Sequence, residues 1–251
     1  MRTATPAPAR IALVTDFGDG PYVGQMELRL AALAPAVPVI RLISDLPPWR
    51  PDLAAYLLPA LRRGMPGRTL YLCVVDPGVG SDRAILALRA GEDWLLAPDN
   101  GLLVPLLRRA PDVELLRIDW QPEDLSASFH GRDLFVPVAA NLCAGQLPAS
   151  RPLSPETLVG ADWSDQCPAI CYVDDFGNLI TGVDAHRVPS QTRLLAAGRR
   201  IARARTFSDV AIGEPFWYRN AFDLVEIAVN QGRADALLGL GVGDTFGLDG
   251  V

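Results

Sequence analysis

The chain has 251 residues, a formal net charge of −6, 49% hydrophobic and 21% charged residues, and no apolar run long enough to span a bilayer. That balance describes a soluble globular protein of one large or two modest domains, and the acidic excess argues against a nucleic-acid partner, which would favour a basic face. All 23 basic residues are arginine, which removes a P-loop lysine, a Schiff-base lysine and a kinase-type phosphate lysine together.

The opening residues, MRTATPAPAR, read as a loose tail and not as a signal peptide. Ile11 to Thr15 then forms a buried strand that ends on Asp16-Phe17-Gly18. A helix follows from Tyr22 to Leu33, stopped by Pro35, and a second strand from Val37 to Ile43. Leu46-Pro47-Pro48-Trp49 makes a rigid turn, after which Asp52 caps a helix carrying Leu53, Tyr56, Leu57, Ala60 and Leu61 on one face. Leu70 to Val75 is a short apolar run rich in β-formers, read as a strand buried on both faces. It stops at Asp76-Pro77-Gly78, and a turn with two glycines leads on to Ser81, Asp82 and Arg83.

Ala84 to Leu88 and Trp94 to Ala97 pair as strands, the second running into Pro98-Asp99-Asn100-Gly101. Leu102 to Arg109 reads as helix, Glu114 to Ile118 as strand, Ser126 to Asp133 as a polar loop containing His130, and Leu134 to Ala144 as helix. Alternating strands and helices predict a mostly parallel sheet with helices on both faces, an α/β fold, over residues 1–150. Residues 151–167, rich in Ser, Pro and Asp, read as a linker. Residues 168–251 carry short runs at Ala169–Val173, Leu179–Val183, Thr192–Ala197, Phe216–Arg219 and Leu224–Asn230, without a convincing helix. They predict a small all-β, barrel-like domain.

Asp16, Asp76 and Asp99 all follow strands at the carboxyl ends, where open α/β sheets hold their ligands. One such Asp is usually a turn cap, but three of them with a His-bearing loop point to a site. Two readings remain open on these residues alone. One is a metal-dependent hydrolase using Asp16, Asp76, Asp99 and His130, although no ligand-spaced motif supports it. The other is a non-metal site. Kinase-like strings at Asp16-Phe17-Gly18 and His130-Gly131-Arg132-Asp133 stand in reversed order and lack both lysine and glycine-rich loop. The four cysteines have no zinc spacing; Cys73 and Cys143 read as buried free thiols, in keeping with a reducing, cytoplasmic setting.

The strings TDFG, PYVGQM, VVDPGVGSDR, APDNGLL, SFHGRDLFVPVAA, VDDFGNLITG and EIAVNQG, in that order from about Ile11 onwards, resemble the S-adenosyl-L-methionine (SAM) hydrolases. These are also called SAM hydroxide adenosyltransferases and are sisters of the SAM halogenases. The resemblance implies an N-terminal α/β domain, a C-terminal β-barrel, and a homotrimer with SAM held between neighbouring subunits. It implies displacement at the ribose C5′ by a water-derived hydroxide, giving adenosine and L-methionine, with no metal or cofactor. By motif, Asp76, Arg83 and His130 match the water-activating residues, and Asp16 matches the ribose ligand. Trp49 matches an aromatic wall, and Asp174, Asn178 and Asn230 match residues that hold the methionine and adenine ends. Asp76 in the glycine loop, and only a short hairpin between Arg83 and Trp94, favour water over halide. Ala221 and Asp223 depart from the Ser and Gly common at those positions. A SAM or adenosine binder without turnover is the remaining alternative, against which Asp76, Arg83 and His130 all speak.

Overall fold

The computed structural model describes residues 6–249; the first five residues of the expected tail lie outside them. Two compact units divide the chain. One comprises the residues up to Ala55 with Gly64–Trp163, and the other comprises Tyr56–Arg63 with Ser164 onwards.

The first unit is built on a seven-stranded sheet. Its strands are β1 (Arg10–Thr15), β2 (Val39–Ile43), β3 (Thr69–Val74), β4 (Ile85–Ala90), β5 (Asp93–Pro98), β6 (Val113–Ile118) and β7 (Ser150–Pro152). They lie in the order β2-β1-β3-β5-β4-β6-β7. The β2, β1, β3 and β5 strands pair in parallel, whereas β4 runs antiparallel to both β5 and β6, and β7 antiparallel to β6. All six residues of β3 are buried, as its continuous apolar run requires of a strand covered on both sides. Ile11, Leu13, Leu70, Leu72, Val74 and Leu96 on one face pack with Val23, Met26 and Leu30 of helix α1 (Pro21–Leu33). Val136, Val138, Ala139 and Leu142 of a second helix close the same core. Each large aliphatic side chain buried in this way contributes roughly 1.5–3 kcal/mol. Ala12, Val14, Tyr71 and Cys73, pointing the other way, are buried too.

Helix starts follow their prolines. Pro21 opens α1, because a residue without an N–H fits the first helical turn. Helix α2 covers Pro51–Arg62 and α3 covers Val104–Arg109, two residues later than expected. The loop read as Ser126–Asp133 and the helix read from Leu134 are divided differently. Gly131–Phe135 form a wide π turn, in which the Val136 N–H bonds the Gly131 carbonyl, and α4 (Val136–Cys143) follows. Pro137 has no N–H to offer the Asp133 carbonyl, so a regular helical turn cannot close there. Within the 151–167 stretch, β7 pairs with β6, and the Ala161 and Trp163 carbonyls accept from Arg108. Cys73 is buried, whereas Cys143 is only half-buried.

The second unit holds two antiparallel sheets. One has the order β12-β13-β9-β8, formed by β8 (Cys167–Val173), β9 (Leu179–Asp184), β12 (Pro215–Arg219) and β13 (Leu224–Val229). The other, β11-β10-β14, is formed by β10 (Arg193–Ala196), β11 (Arg199–Ile201) and β14 (Gly247–Asp249). Leu179, Val183, Leu194, Ile201, Trp217 and Ile227 form one core for both sheets. The expectation of strands alone is corrected by a short helix, α5 (Ala234–Leu238), whose five residues are too few to show helical periodicity in sequence.

Candidate active site

The β1 and β3 strands are neighbours in register, with Thr15 opposite Val74, so the residues just beyond them emerge side by side at the carboxyl edge. Asp16 directly follows β1 and Asp76 lies two residues past β3, near enough for its charge to bear on the Asp16 carboxyl. The Asp16 Oδ2 accepts the Trp49 backbone N–H at 3.1 Å. Burial pushes the Asp16 carboxyl above its ordinary range, the Trp49 amide opposes this, and the nearby Asp76 charge adds to the rise. Trp49 itself sits at φ 60°, a backbone region costly for a large side chain, and the residue is 76% exposed.

Asp76 is gripped by Arg83 in a two-pronged ion pair, Nε to Oδ1 at 2.5 Å and Nη2 to Oδ2. The two side chains are only 4% and 9% exposed. Such a pair holds both groups in a fixed plane and leaves the outer lone pairs of the carboxylate for a further donor. The loop between them depends on Gly80. At φ 83°, a Cβ there would lie 2.6 Å from the Ala127 carbonyl oxygen, so only glycine lets the loop close against the His130 segment. Ser81 Oγ donates to the Gly78 carbonyl at 2.7 Å and Asn100 Nδ2 to the Val75 carbonyl at 2.8 Å, fixing both ends.

His130 completes the cluster, with Nδ1 3.3 Å from Arg83 Nη2. A guanidinium only donates, so Nδ1 accepts and the proton of the neutral imidazole stands on Nε2. Burial lowers the His130 basicity first and the Arg83 charge lowers it further, against the opposing pull of Asp76 and Asp133. Asp133 is paired with Arg132 at 2.7 Å on both oxygens, and the Arg132 guanidinium lies 5.0 Å from the Phe129 ring centre. In front of Asp76 and His130 is a cavity of about 170 Å³ walled by Phe17, Tyr22, Val79 and Phe129. The three rings meet edge to face or tilted, 5.3–6.0 Å apart. None of the three was singled out from sequence. The signal was there, because Phe17 and Phe129 directly flank Asp16 and His130.

Asp99 corrects the expected convergence. It lies at the same sheet edge, but its Oδ1 accepts the Val159 N–H at 3.1 Å instead of joining Asp16, Asp76 and His130. Among the described residues, no three His, Cys, Asp or Glu side chains group to hold a metal ion. The four-residue ligand set weighed from sequence is therefore not assembled.

In the second unit Asp174 and Asn178 share one turn. Asp174 Oδ1 accepts the N–H groups of Phe176 (3.0 Å) and Asn178 (2.8 Å), and Oδ2 accepts Asn178 Nδ2 at 2.9 Å. Gly177, at φ 79°, is required because a Cβ would fall 2.5 Å from Asp235 Oδ1. Its carbonyl accepts the Ala234 and Asp235 N–H groups, which brings the segment after Asn230 to the turn. Asn230 itself bonds elsewhere, with Nδ2 on the Val210 carbonyl at 2.8 Å. Sequence reasoning also missed Glu226, a buried carboxylate that accepts Tyr218 Oη (2.6 Å) and Asn220 Nδ2 (2.8 Å). Burial raises its carboxyl, an effect the two hydrogen bonds oppose and the Asp174 charge reinforces. Asp223 takes the left-handed φ of 61° that suits the Gly common there, and its carboxylate pairs with Arg63, His186 and Arg219.

A doubly covered α/β sheet with a buried acid–guanidinium–imidazole cluster at its carboxyl edge defines a site built to act on a small polar molecule. Comparison with known proteins narrows this. The family profile for the SAM hydroxide adenosyltransferase N-terminal domain matches residues 11–151, and that for the C-terminal domain matches residues 168–246. A protein of Salinispora tropica named (R)-S-adenosyl-L-methionine hydrolase is 38% identical, covering 93% of this chain and 95% of its own. A protein of the same name from Thermus thermophilus is 36% identical over 92% and 95%. A crystal structure of an uncharacterised conserved protein from Thermotoga maritima superposes with a TM-score of 0.79 at 26% identity, covering 95% of this chain and 99% of that one. The crystal structure of a conserved hypothetical protein from Thermus thermophilus gives 0.73 at 33% identity, over 95% and 99%. The chain belongs to the SAM hydroxide adenosyltransferase family.

Proposed function

We propose that this protein hydrolyses SAM to adenosine and L-methionine, with Asp76, Arg83 and His130 acting on the water. The observation that carries the reading is Arg83, which joins a carboxylate and an imidazole 47 residues away from it into one buried unit. In the reaction a water oxygen bonds to C5′ while the C5′–S bond breaks, its electron pair going to sulfur as a neutral thioether. The leaving group takes no proton, so the one proton lost by water passes to the protein and then to solvent.

Asp76 accepts that proton or the hydrogen bond that precedes it. Arg83 fixes the carboxylate plane, and the neutral His130 offers its Nε2–H to the attacking oxygen or the nascent 5′-hydroxyl. The aromatic walls exclude other water, so a weak nucleophile and a sulfonium meet with little solvent to reorganise. The Asp76 carboxylate on this cavity suits a sulfonium substrate and a water and disfavours a halide ion.

Asp16 is the ribose ligand in this reading, one carboxylate accepting from both hydroxyls, with Trp49 beside it as an aromatic wall. Asp174, Asn178 and Asn230 of a second copy hold the methionine and adenine ends in a homotrimer, with an N-terminal domain to about residue 150 and a C-terminal one from 168. The family resemblance supports that assembly. Incubation with SAM in ¹⁸O-water tests the activity: adenosine and methionine form in equal amounts, with label in the 5′-hydroxyl. Absence of products, or label found only in methionine, overturns the reading.

A further inference from the structure

The cluster has a second side. Behind it lies a larger cavity of about 420 Å³, bordered by Arg83 and His130 and also by Arg117, Asp119 and Gln121. His130 borders both cavities, whereas Asp76 borders only the smaller. The two differ in character. The smaller is walled by rings and Val79, while the larger is rimmed by charged and amide groups, and its Asp119 and Gln121 are exposed to solvent.

Each turnover consumes one water and releases one proton, and neither can be exchanged through a cavity filled with substrate. A water in the smaller cavity has Asp76 and His130 before it, with Phe17, Tyr22, Phe129, Val74 and Val79 and the exposed Ser128 around it. The Phe17, Phe129 and valine walls give neither a hydrogen-bonded path in nor a proton acceptor out, and the Ser128 and Tyr22 hydroxyls lie on the substrate's own side of the cluster. Away from the substrate's side, a polar exit from the cluster runs past the Arg83 and His130 side chains. We propose that the larger cavity is the water inlet and proton outlet of the hydrolysis, and that SAM binds from the other side. Water enters beside His130 to reach Asp76. After attack, the proton on Asp76 passes to the water that replaces the one consumed and from it, past His130, to waters of the larger cavity bordered by Arg117, Asp119 and Gln121. No bond other than O–H is made or broken on this path.

This inference rests on the hydrolase reading, and the experiment separates the two. Gln121→Trp and, independently, Ala84→Leu fill the larger cavity from its rim and from the residue just before β4. Turnover of SAM by the unaltered protein tests the activity itself; if there is none, the hydrolase reading falls first. Given activity, both variants should lower kcat by about tenfold or more and leave SAM affinity by calorimetry within about twofold, because the blocked step follows binding. They should also raise the solvent deuterium isotope effect on kcat, as proton exit becomes slow. SAM binding at unaltered affinity reports a folded variant. Variants that bind SAM normally and keep the full kcat and isotope effect overturn the proposal, as does an equal loss of affinity and turnover. Should one variant fail to bind SAM, the other decides. Should both fail, the isotope effect of the unaltered protein with buffers of increasing size decides: acceleration by small buffers alone supports a narrow outlet, and no buffer dependence overturns it.

Discussion

The two units carry their polar side chains in opposite ways. In the first, Asp76, Arg83 and His130 come from residues 7 and 47 positions apart and meet inside the protein. In the second, Asp174 and Asn178 bond within four residues of each other, in a turn any Asx sequence can make. Bringing distant charges into a buried pair costs desolvation that a fold gains nothing from unless the geometry is used. A local turn costs almost nothing. The first arrangement is therefore evidence of function in its own right, whereas the second acquires meaning only from what binds beside it.

That contrast can be broken by mutation. Arg83→Met should have the largest effect: it strands a buried carboxylate, abolishing turnover and lowering stability by about 3–5 kcal/mol in denaturant unfolding. Unchanged stability would mean the pair is solvated. Next comes Asp16→Ala, which should weaken SAM and adenosine binding by about 1.5–3 kcal/mol in calorimetry, the size of a charged hydrogen bond. Normal affinity would remove Asp16 from the ribose site.

Asp174→Ala should cost only about 0.5–2 kcal/mol of stability, since it loses local turn bonds like those of a cap. A loss matching that of Arg83→Met would erase the contrast. The smallest effect is in pH. His130 is less basic folded than unfolded, so the unfolded chain takes up its proton first as pH falls. Its contribution is present above the ordinary imidazole range and is lost as pH falls through the folded value. Melting temperature should therefore fall less steeply below neutrality in His130→Gln than in the unaltered protein, and parallel slopes would show that His130 titrates normally.

Much of the first unit was legible because its strands are continuous apolar runs ending on acids, at Asp16, Asp76 and Asp99. The sheet and its carboxyl edge followed from that. The partnership of Asp76, Arg83 and His130 did not, since no spacing rule spans 47 residues; there the motifs of the family did what periodicity could not. Asp99 misled because position at a strand end says nothing of where a carboxylate turns, and a backbone amide at Val159 had the better claim. The start of α4 was misread because Pro137 acts through a missing hydrogen bond four residues back. Phe17, Tyr22 and Phe129 were passed over as a group, although Phe17 and Phe129 flank Asp16 and His130, because aromatic rings resemble ordinary core until a cavity lies among them.

The central claim is that Asp76 serves the water and not the ligand, and Asp76→Asn measures it most directly. SAM affinity by calorimetry should stay within about threefold of the unaltered protein, while single-turnover formation of adenosine falls by about 10²–10⁴, the range for loss of a positioned acid–base group. Equal losses of affinity and rate, or full turnover without the carboxylate, would contradict the account.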